Sequence, residues 1–249
     1  MEKKLEWKLN LLTAYAVVST IFFGATLTMS FKSNNDNKDA VYDEITVKRI
    51  NVISEEGELR MVVSNEFRQH PGRVNGQDIE KRDRPAGILF FNEEGDECGG
   101  IIHWGKKADG ATSSGMSFTM DQYKEDQVLQ IINNEYYSEG KQSIQRGVAI
   151  SDLPTGSDLL TRMKKIEEIQ EILSTASPEE QQKIIEQYGN SLSSIQRLFI
   201  GKTKKNNAGI FLAGPDGKQK LNIYVDENNI PKIEVIDENG ISSNILKQD

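Results

Sequence analysis

The stretch that decides the fold is AGIFLAGPDGKQKLNIYVDENNIPKIEVIDENGISSNIL, residues 208–246. Short apolar runs alternate in it with polar turns that contain Gly217, Asn229 and Gly240. Gly and Asn accept the positive φ that tight hairpins require. Apolar residues recur at every second position of two runs, namely Ile223, Val225, Ile233 and Val235. This period of two predicts antiparallel β-hairpins with those side chains on one buried face.

The same unit recurs earlier in the chain, as an apolar run, an acidic turn with Gly and a second apolar run. It is present in ITVKRINVISEEGELRMVVSN (45–65) around Gly57 and in AGILFFNEEGDECGGIIHWG (86–105) around Gly95. A further hairpin is predicted for GMSFTMDQYKEDQVLQIIN (115–133). Because the turns are irregularly spaced, the predicted fold is mainly β, as an antiparallel hairpin sheet, a sandwich or a solenoid-like domain rather than a strict propeller.

The β pattern is interrupted at residues 157–200, where apolar residues recur at helical spacing. These residues are Leu159, Met163, Ile166, Ile169 and Leu173. Ser177-Pro178-Glu179-Glu180 then has the pattern of an N-cap with a capping box, and Gly189 that of a helix stop. We therefore predict an inserted helical hairpin that packs on the sheet or projects from it. It is the predicted element for a protein partner or for self-association.

An uncharged run, LNLLTAYAVVSTIFFGATLTMSF, occupies residues 9–31. A helix of this length spans about 35 Å, against a hydrocarbon core of about 30 Å. A cleaved signal peptide has a shorter apolar core and a small-residue cleavage site, and a buried core helix rarely lacks charge over such a length. We therefore predict an uncleaved, single-pass signal-anchor. Because Lys3, Lys4 and Lys8 precede it, the positive-inside rule predicts a cytoplasmic tail and an extracytoplasmic C-terminal domain.

These features divide the chain into six predicted segments. They are a cytoplasmic tail (1–8), a transmembrane helix (9–31), a linker (32–44), a β-hairpin region (45–156), a helical insert (157–200) and C-terminal β-hairpin repeats (201–249). Within the β-hairpin region, residues 66–84 and 105–114 lack the strand pattern and are predicted to form exposed loops.

The hairpin units carry a resemblance to a family. The uncharged N-terminal run, the units at 43–65, 86–105 and 117–133, the RLFIGK run at 197–202 and the stretch 208–246 together resemble an uncharacterised family of bacterial single-pass membrane-anchored β-hairpin-repeat proteins. The similarity covers most of the chain outside the helical insert, which is long relative to that pattern. The resemblance implies no assigned activity.

Composition argues against several classes of function. The chain has 30 basic and 38 acidic side chains, for a net charge of −8. Such a surface repels phosphate backbones, so we predict no nucleic-acid partner. Cys98 is the only cysteine, so an intrachain disulfide is impossible. The sequence has neither Walker nor dinucleotide-binding spacing, and we predict no cofactor.

Few residues offer catalytic chemistry, and no catalytic residue is assigned. Asp121 and Asp126 bracket a turn, and with His103 they are the candidates for acid–base work or for binding a hard cation. The simpler interpretation of that turn is a solvated hairpin tip. Cys98 and His103 could form a nucleophile pair, although a small buried thiol is the simpler interpretation. A zinc site would need carboxylates besides His70 and His103, so the metal is left open.

Three hypotheses follow from the sequence. The first is a membrane-anchored extracytoplasmic binding or scaffold module, favoured by the abundance of hairpins and the lack of a catalytic motif. The second is a carboxylate-based hydrolase or metal-dependent enzyme, which requires Asp121, Asp126 and His103 to converge. The third is a surface module stabilised by calcium at its acidic turns.

Overall fold

A computed structural model describes residues 2–30, 40–154, 156 and 158–246 of the chain. The chain forms two compact units, Met1–Thr46 and Val47–Asp249. The first contains helix α1 (Glu2–Ser30), which includes residues 2–8 of the predicted cytoplasmic tail. Most of the predicted linker 32–44 lies outside the described residues, and the described part has no regular structure.

Helix α1 is long and apolar enough to cross a membrane over Glu2–Thr26. Its threonine hydroxyls bond within the helix. Thr13 donates to the carbonyl of Leu9 at 2.9 Å, and Thr20 donates to that of Ala16 at 2.8 Å. Such bonds to the preceding turn satisfy a hydroxyl where no water is present. The polar residues of this run are therefore compatible with a lipid environment.

In its described residues the second unit contains fourteen strands and two long helices. The strands are β1 (Arg49–Ile53), β2 (Leu59–Ser64), β3 (Arg73–Val74), β4 (Gln77–Asp78), β5 (Ala86–Phe91), β6 (Glu97–Ala108), β7 (Ala111–Asp121), β8 (Gln127–Ser138), β9 (Lys141–Asp152), β10 (Ile195–Lys202), β11 (Ala208–Ala213), β12 (Gln219–Val225), β13 (Pro231–Ile236) and β14 (Ser242–Asn244). The helices are α2 (Leu159–Thr175) and α3 (Pro178–Leu192), and a 3-10 turn covers Glu66–Arg68.

Twelve strands form one antiparallel sheet in the order β1-β2-β5-β6-β7-β8-β9-β10-β11-β12-β13-β14, and β3 pairs with β4 separately. Neighbours in the large sheet follow one another along the chain, except that β3 and β4 lie between β2 and β5. The helices interrupt this order only between β9 and β10, which pair directly. The predicted mainly β fold, with an N-terminal apolar helix and an inserted helical region, is therefore confirmed, and its form is an extended hairpin sheet.

The turns have the conformation that their sequences predict. In the first hairpin the amide of Ser54 donates to the carbonyl of Glu58 at 2.8 Å, and that of Gly57 donates to the carbonyl of Ser54 at 3.0 Å. Six other turns repeat this five-residue pattern. The residues predicted to take positive φ all do so: Gly57, Gly95, Gly217, Asn229 and Gly240. Lys124 takes this role in the hairpin at 115–133.

The prediction of an exposed loop at 105–114 is wrong. These residues belong to β6 and β7, which are joined by the two-residue turn Asp109-Gly110 with φ of 51° and 78°. Glu139-Gly140 makes the same kind of turn between β8 and β9, with φ of 49° and 74°. Two consecutive positive φ values are typical of the type I′ hairpin turn.

The prediction of an exposed loop at 66–84 is also partly wrong, because this segment covers one face of the sheet over β2, β5 and β6. It contributes the buried residues His70 and Val74. The His70 ring packs edge-on against Phe91, with centroids 4.9 Å apart. Arg84 donates to both carboxylate oxygens of Glu97 at 2.7 Å. Beneath the segment, Val62, Leu89 and Phe91 form a small buried core.

The helical insert has the predicted caps but different bounds. Ser177 and Glu180 form a reciprocal capping box at the start of α3, as predicted. Gly189 is not the stop, because α3 continues to Leu192. The insert also ends before residue 200, since β10 begins at Ile195. By strand alternation the insert leaves the same end of the sheet as the β7–β8 turn, which brings the two into contact.

Candidate functional site

One face of the large sheet carries an unbroken row of apolar side chains. Register pairing places one residue from each of eleven strands directly beside the next. The row is Ile50, Val63, Ile88, Ile101, Phe118, Ile131, Val148, Ile200, Ile210, Ile223 and Ile233. Adjacent β-branched and aromatic side chains stabilise a sheet by cross-strand contact.

A second row lies two residues away on each strand, and therefore on the same face. Its members are Val52, Met61, Phe90, Gly99, Met120, Leu129, Ile150, Leu198, Leu212, Leu221 and Val235. Gly99 is its only member without a side chain. We call the two rows together the apolar face. None of its residues can be charged.

The described part of the chain leaves the apolar face exposed. Its exposed fractions reach 48% for Ile131, 45% for Ile200, 41% for Ile223 and 45% for Val235. Neighbouring side chains on the adjoining strands cover the flanks of each of these residues. The exposed part of each side chain is therefore its outer end, which faces away from the sheet. The sequence correctly predicts that Ile223, Val225, Ile233 and Val235 share one face, but the prediction that this face is buried is wrong. A sheet normally buries its apolar face against a second layer.

The apolar face is large for a single chain. Ten strand spacings of about 4.8 Å give a length of about 48 Å, and two rows of side chains give a width of about 14 Å. The resulting area is about 700 Å², above the 300–600 Å² or so of the largest apolar patch on a typical monomer. Exposed patches of this size mark interaction surfaces.

The opposite face of β9–β12 is closed by aromatic rings that lie over glycines. A Cβ on Gly147 would lie 2.8 Å from the Phe199 ring, and one on Gly209 would lie 2.5 Å from the Cβ of Tyr224. Phe199 is only 2% exposed although no second sheet layer packs on it within the described ranges. The two faces therefore differ: one covers itself with its own side chains, and the apolar face does not.

Two of the predicted site residues lie close together. Asp121 is at the end of β7, and one of its buried carboxylate oxygens accepts no hydrogen bond from the described residues. Burial raises the pKa of Asp121 to about 7, and the negative charges of Glu97 and Asp126 contribute. Asp126 is exposed in the adjoining turn, where its Oδ1 accepts from the amide of Gln127 at 2.9 Å.

His103 does not join these carboxylates. It pairs with Met116 in the register of β6 and β7. Met116 and Asp121 are five residues apart on β7, which corresponds to about 17 Å along a strand and to opposite faces of the sheet. The geometry therefore brings Asp121 and Asp126 together and leaves His103 away from them.

Cys98 is exposed, so the interpretation of a buried thiol is wrong. Partial burial of the sulfur and the charges of Asp121 and Glu97 nevertheless raise its thiol pKa. A thiol with a raised pKa is a poor nucleophile at neutral pH. His103 lies five residues further along the strand, about 17 Å away, which is beyond hydrogen-bond reach.

The remaining polar candidates have structural roles. The Nδ1 of His70 accepts from the amide of Gly72 at 3.1 Å, and burial lowers the His70 pKa, so the ring is neutral at pH 7. Asp226 Oδ1 accepts from the amides of Asn228 and Ile230, each at 2.9 Å, and thereby holds its own turn. Within the described residues, no group of three or more His, Cys, Asp or Glu side chains is placed to hold a metal ion.

A buried ion pair joins the helical insert to the sheet. Arg162 of α2 donates to Glu125 in the β7–β8 turn, with Nη2 2.8 Å from Oε2 and Nε 3.1 Å from Oε1. Its Nη1 also donates to the carbonyl of Leu192, the last residue of α3, at 3.2 Å. One guanidinium thus connects both helices to the turn. Sequence reasoning missed this pair, because Arg162 resembles any other charged residue on an amphipathic helix.

The pKa of Asp121 predicts a pH-dependent stability. Because the folded-state pKa lies above that of the unfolded chain, the folded state binds the proton more tightly, and stability falls as pH rises from about 4 to about 7. Asp121→Asn is expected to raise the free energy of unfolding at about pH 8 by about 1–3 kcal/mol, and to leave it nearly unchanged at about pH 4. Urea titrations of both proteins across this range measure the difference. Equal gains at the two pH values would contradict it.

Comparison of the chain with protein-family models, with curated proteins and with solved structures gives no match. The resemblance of the hairpin units to a bacterial membrane-anchored family therefore stays a prediction, and any function has to be argued from the geometry of the chain itself.

Proposed function

We propose that this chain is a membrane-anchored, extracytoplasmic binding or scaffold module whose binding surface is the apolar face. The single observation that carries the proposal is a two-row apolar surface that extends over eleven strands and stays exposed at Ile131, Ile200 and Ile223. Burying such a surface is favourable by about 25 cal/mol per Å² of apolar area.

The lack of polar side chains on the apolar face indicates what kind of partner it can bind. Rows without a charged or hydrogen-bonding side chain offer no means of orienting a small polar ligand, whereas they complement a second flat apolar surface. The competing hypothesis, a carboxylate-based enzyme, requires Asp121, Asp126 and His103 to converge, and His103 lies about 17 Å from Asp121. The geometry therefore favours binding over catalysis at these residues.

The membrane attachment is supported by α1, and the orientation by charge. The apolar part of α1 is preceded by Lys3, Lys4 and Lys8. On the positive-inside rule these lysines stay in the cytoplasm, and the sheet domain is exported. The acidic domain would then bind its partner at the outer surface of the membrane while α1 stays in the bilayer.

One labelling experiment tests both parts of the proposal. Ile210→Cys is made in a Cys98→Ser background of the full chain. Intact cells are treated with a maleimide that carries a photo-crosslinking group. The reagent passes the outer envelope of these cells but cannot cross the membrane that holds α1. We expect photo-adducts to a partner at Ile210→Cys and none at Gln145→Cys, which lies on the opposite face of β9.

The outcomes separate orientation from binding. Adducts that form only after lysis would place the domain in the cytoplasm and overturn the orientation. Thiols that are labelled at Ile210→Cys but yield no photo-adduct in intact or lysed cells would overturn the binding function. If no partner occupies this face, the thiol would still react with the maleimide, but illumination would yield no crosslinked product.

A further inference from the structure

We infer that the occupant of the apolar face is a second copy of this chain, packed face to face so that two sheets form a two-layer β-sandwich. The inference rests on the proposed function and names its partner. It follows from the size of the face, its composition, its border and the tether that holds each copy.

The size of the face matches what a stable dimer needs. About 700 Å² on each copy gives a total of about 1,400 Å², and stable interfaces bury about 1,200–2,000 Å². A copy of the chain also supplies a surface of the same length. In a two-fold arrangement each apolar row can pack on an identical row, with the sheets about 10 Å apart.

The composition of the face is self-compatible. Identical faces that carry charge repel each other and leave that charge buried, which is costly. The apolar face carries none, so two copies can meet without a desolvated ion. Its packing surface consists of Ile, Val, Leu, Met and Phe side chains, which are the residues that fill the interior of a sandwich.

Part of the border of the face has the character of an interface rim. The next row on the same side contains Asn133 and Arg146, which are direct register partners, together with the apolar residues Met116 and Val225. Arg146 donates to Asn133 at 2.7 Å and to Glu135 at 2.6 Å. Arg146 is exposed, and the side chain of Glu135 is 19% exposed. An apolar centre with a hydrated polar rim is the usual anatomy of a protein–protein interface.

The membrane tether favours a second copy over an untethered partner. Copies that are anchored by α1 share one bilayer and one orientation, so they meet at an effective concentration that short flexible linkers raise to the millimolar range or so.

The test is cysteine crosslinking of the full chain in its native membrane. Ile131→Cys, Ile200→Cys and Ile223→Cys are each made in the Cys98→Ser background and treated with a bis-maleimide that spans about 10 Å, the spacing of packed sheets. We expect a product of twice the 28.0 kDa chain mass from at least one of these positions. Gln145→Cys on the opposite face is the matched control and is expected to give none.

A charge on the face supplies the second measurement. Ile200→Lys, added to whichever of Ile131→Cys and Ile223→Cys crosslinks better, is expected to lower the yield of dimer at least about tenfold, because it places a buried ammonium in the sandwich. Circular dichroism checks that the sheet persists, which is expected because Ile200 is exposed in the single chain. An Ile200→Leu variant should retain the dimer.

Several results would overturn the second copy as occupant. Equal dimer yields from Ile200→Cys and Gln145→Cys would indicate random collision. A dimer from Ile185→Cys alone, in the exposed part of α3, would place self-association in the helical insert. Photo-adducts at Ile210→Cys that contain a different protein or lipid would overturn the second copy and leave the binding function standing, whereas a lack of any adduct would overturn both.

Discussion

Arg162→Met is expected to lower the free energy of unfolding by about 3–5 kcal/mol, because removing one partner of a buried ion pair leaves the other charge uncompensated. Glu125 has a fully buried side chain, and its Oε2 also accepts from the amide of Asp126 at 3.1 Å. The same change removes the bond to the Leu192 carbonyl at the end of α3. Urea unfolding of the full chain in detergent, with hydrogen exchange of residues 159–192, measures both effects.

Two further variants separate the charge from the packing. The double variant Glu125→Leu and Arg162→Met removes both charges, and it is expected to recover much of the loss, since apolar replacements of a buried pair are often neutral. Arg146→Met breaks the exposed pair with Glu135 and is the matched control, with a small expected effect. If Arg162→Met unfolds at the same urea concentration as Arg146→Met, the pair does not hold the insert to the sheet.

The features that could be predicted from the sequence are those set by local geometry. Gly57, Gly217 and Asn229 take positive φ because their turns require it, whatever surrounds them. The capping box of Ser177 and Glu180 is likewise contained within one helical turn. These elements are recognisable because the residues that decide them are a few positions apart.

The strand pattern reveals which residues share a face but not whether anything covers that face. Ile223 and Val235 alternate as a half-buried strand does, yet they are exposed, because burial requires a second layer that the described chain does not supply. The loop prediction at 105–114 failed for a related reason. Its residues are too polar to show alternation, and pairing with neighbouring strands rather than propensity holds them extended.

The candidate site also depends on distant residues. Glu125 and Arg162 are 37 positions apart, and neither shows any sign of its partner in its own segment. The raised pKa of Asp121 depends on burial and on the charge of Glu97 on the neighbouring strand β6. The apolar rows become visible only when the register of the strands is known, since each strand contributes no more than two residues to them.

The glycines beneath the aromatic rings provide the second large expected effect. Gly147→Ala is expected to lower the free energy of unfolding by about 3 kcal/mol or more, because the added methyl group would overpack this site. The new Cβ would clash with the carbonyl oxygen of Ile200 and would lie 2.8 Å from the Phe199 ring. The oxygen belongs to the β9–β10 ladder and cannot move without breaking it. Urea unfolding of the full chain measures the loss.

Gly105→Ala is the matched control for this effect. Gly105 also lies inside a long strand, β6, but its Cβ would meet nothing within 4 Å. Replacing a flexible glycine in open space restricts the unfolded chain, so the variant is expected to be unchanged or more stable by about 0.4–1 kcal/mol. Opposite signs at the two glycines would show that Phe199 and the strand backbone close this side of the sheet. If Gly147→Ala behaves like Gly105→Ala, the ring does not pack on the glycine, and the opposite face is as open as the apolar one.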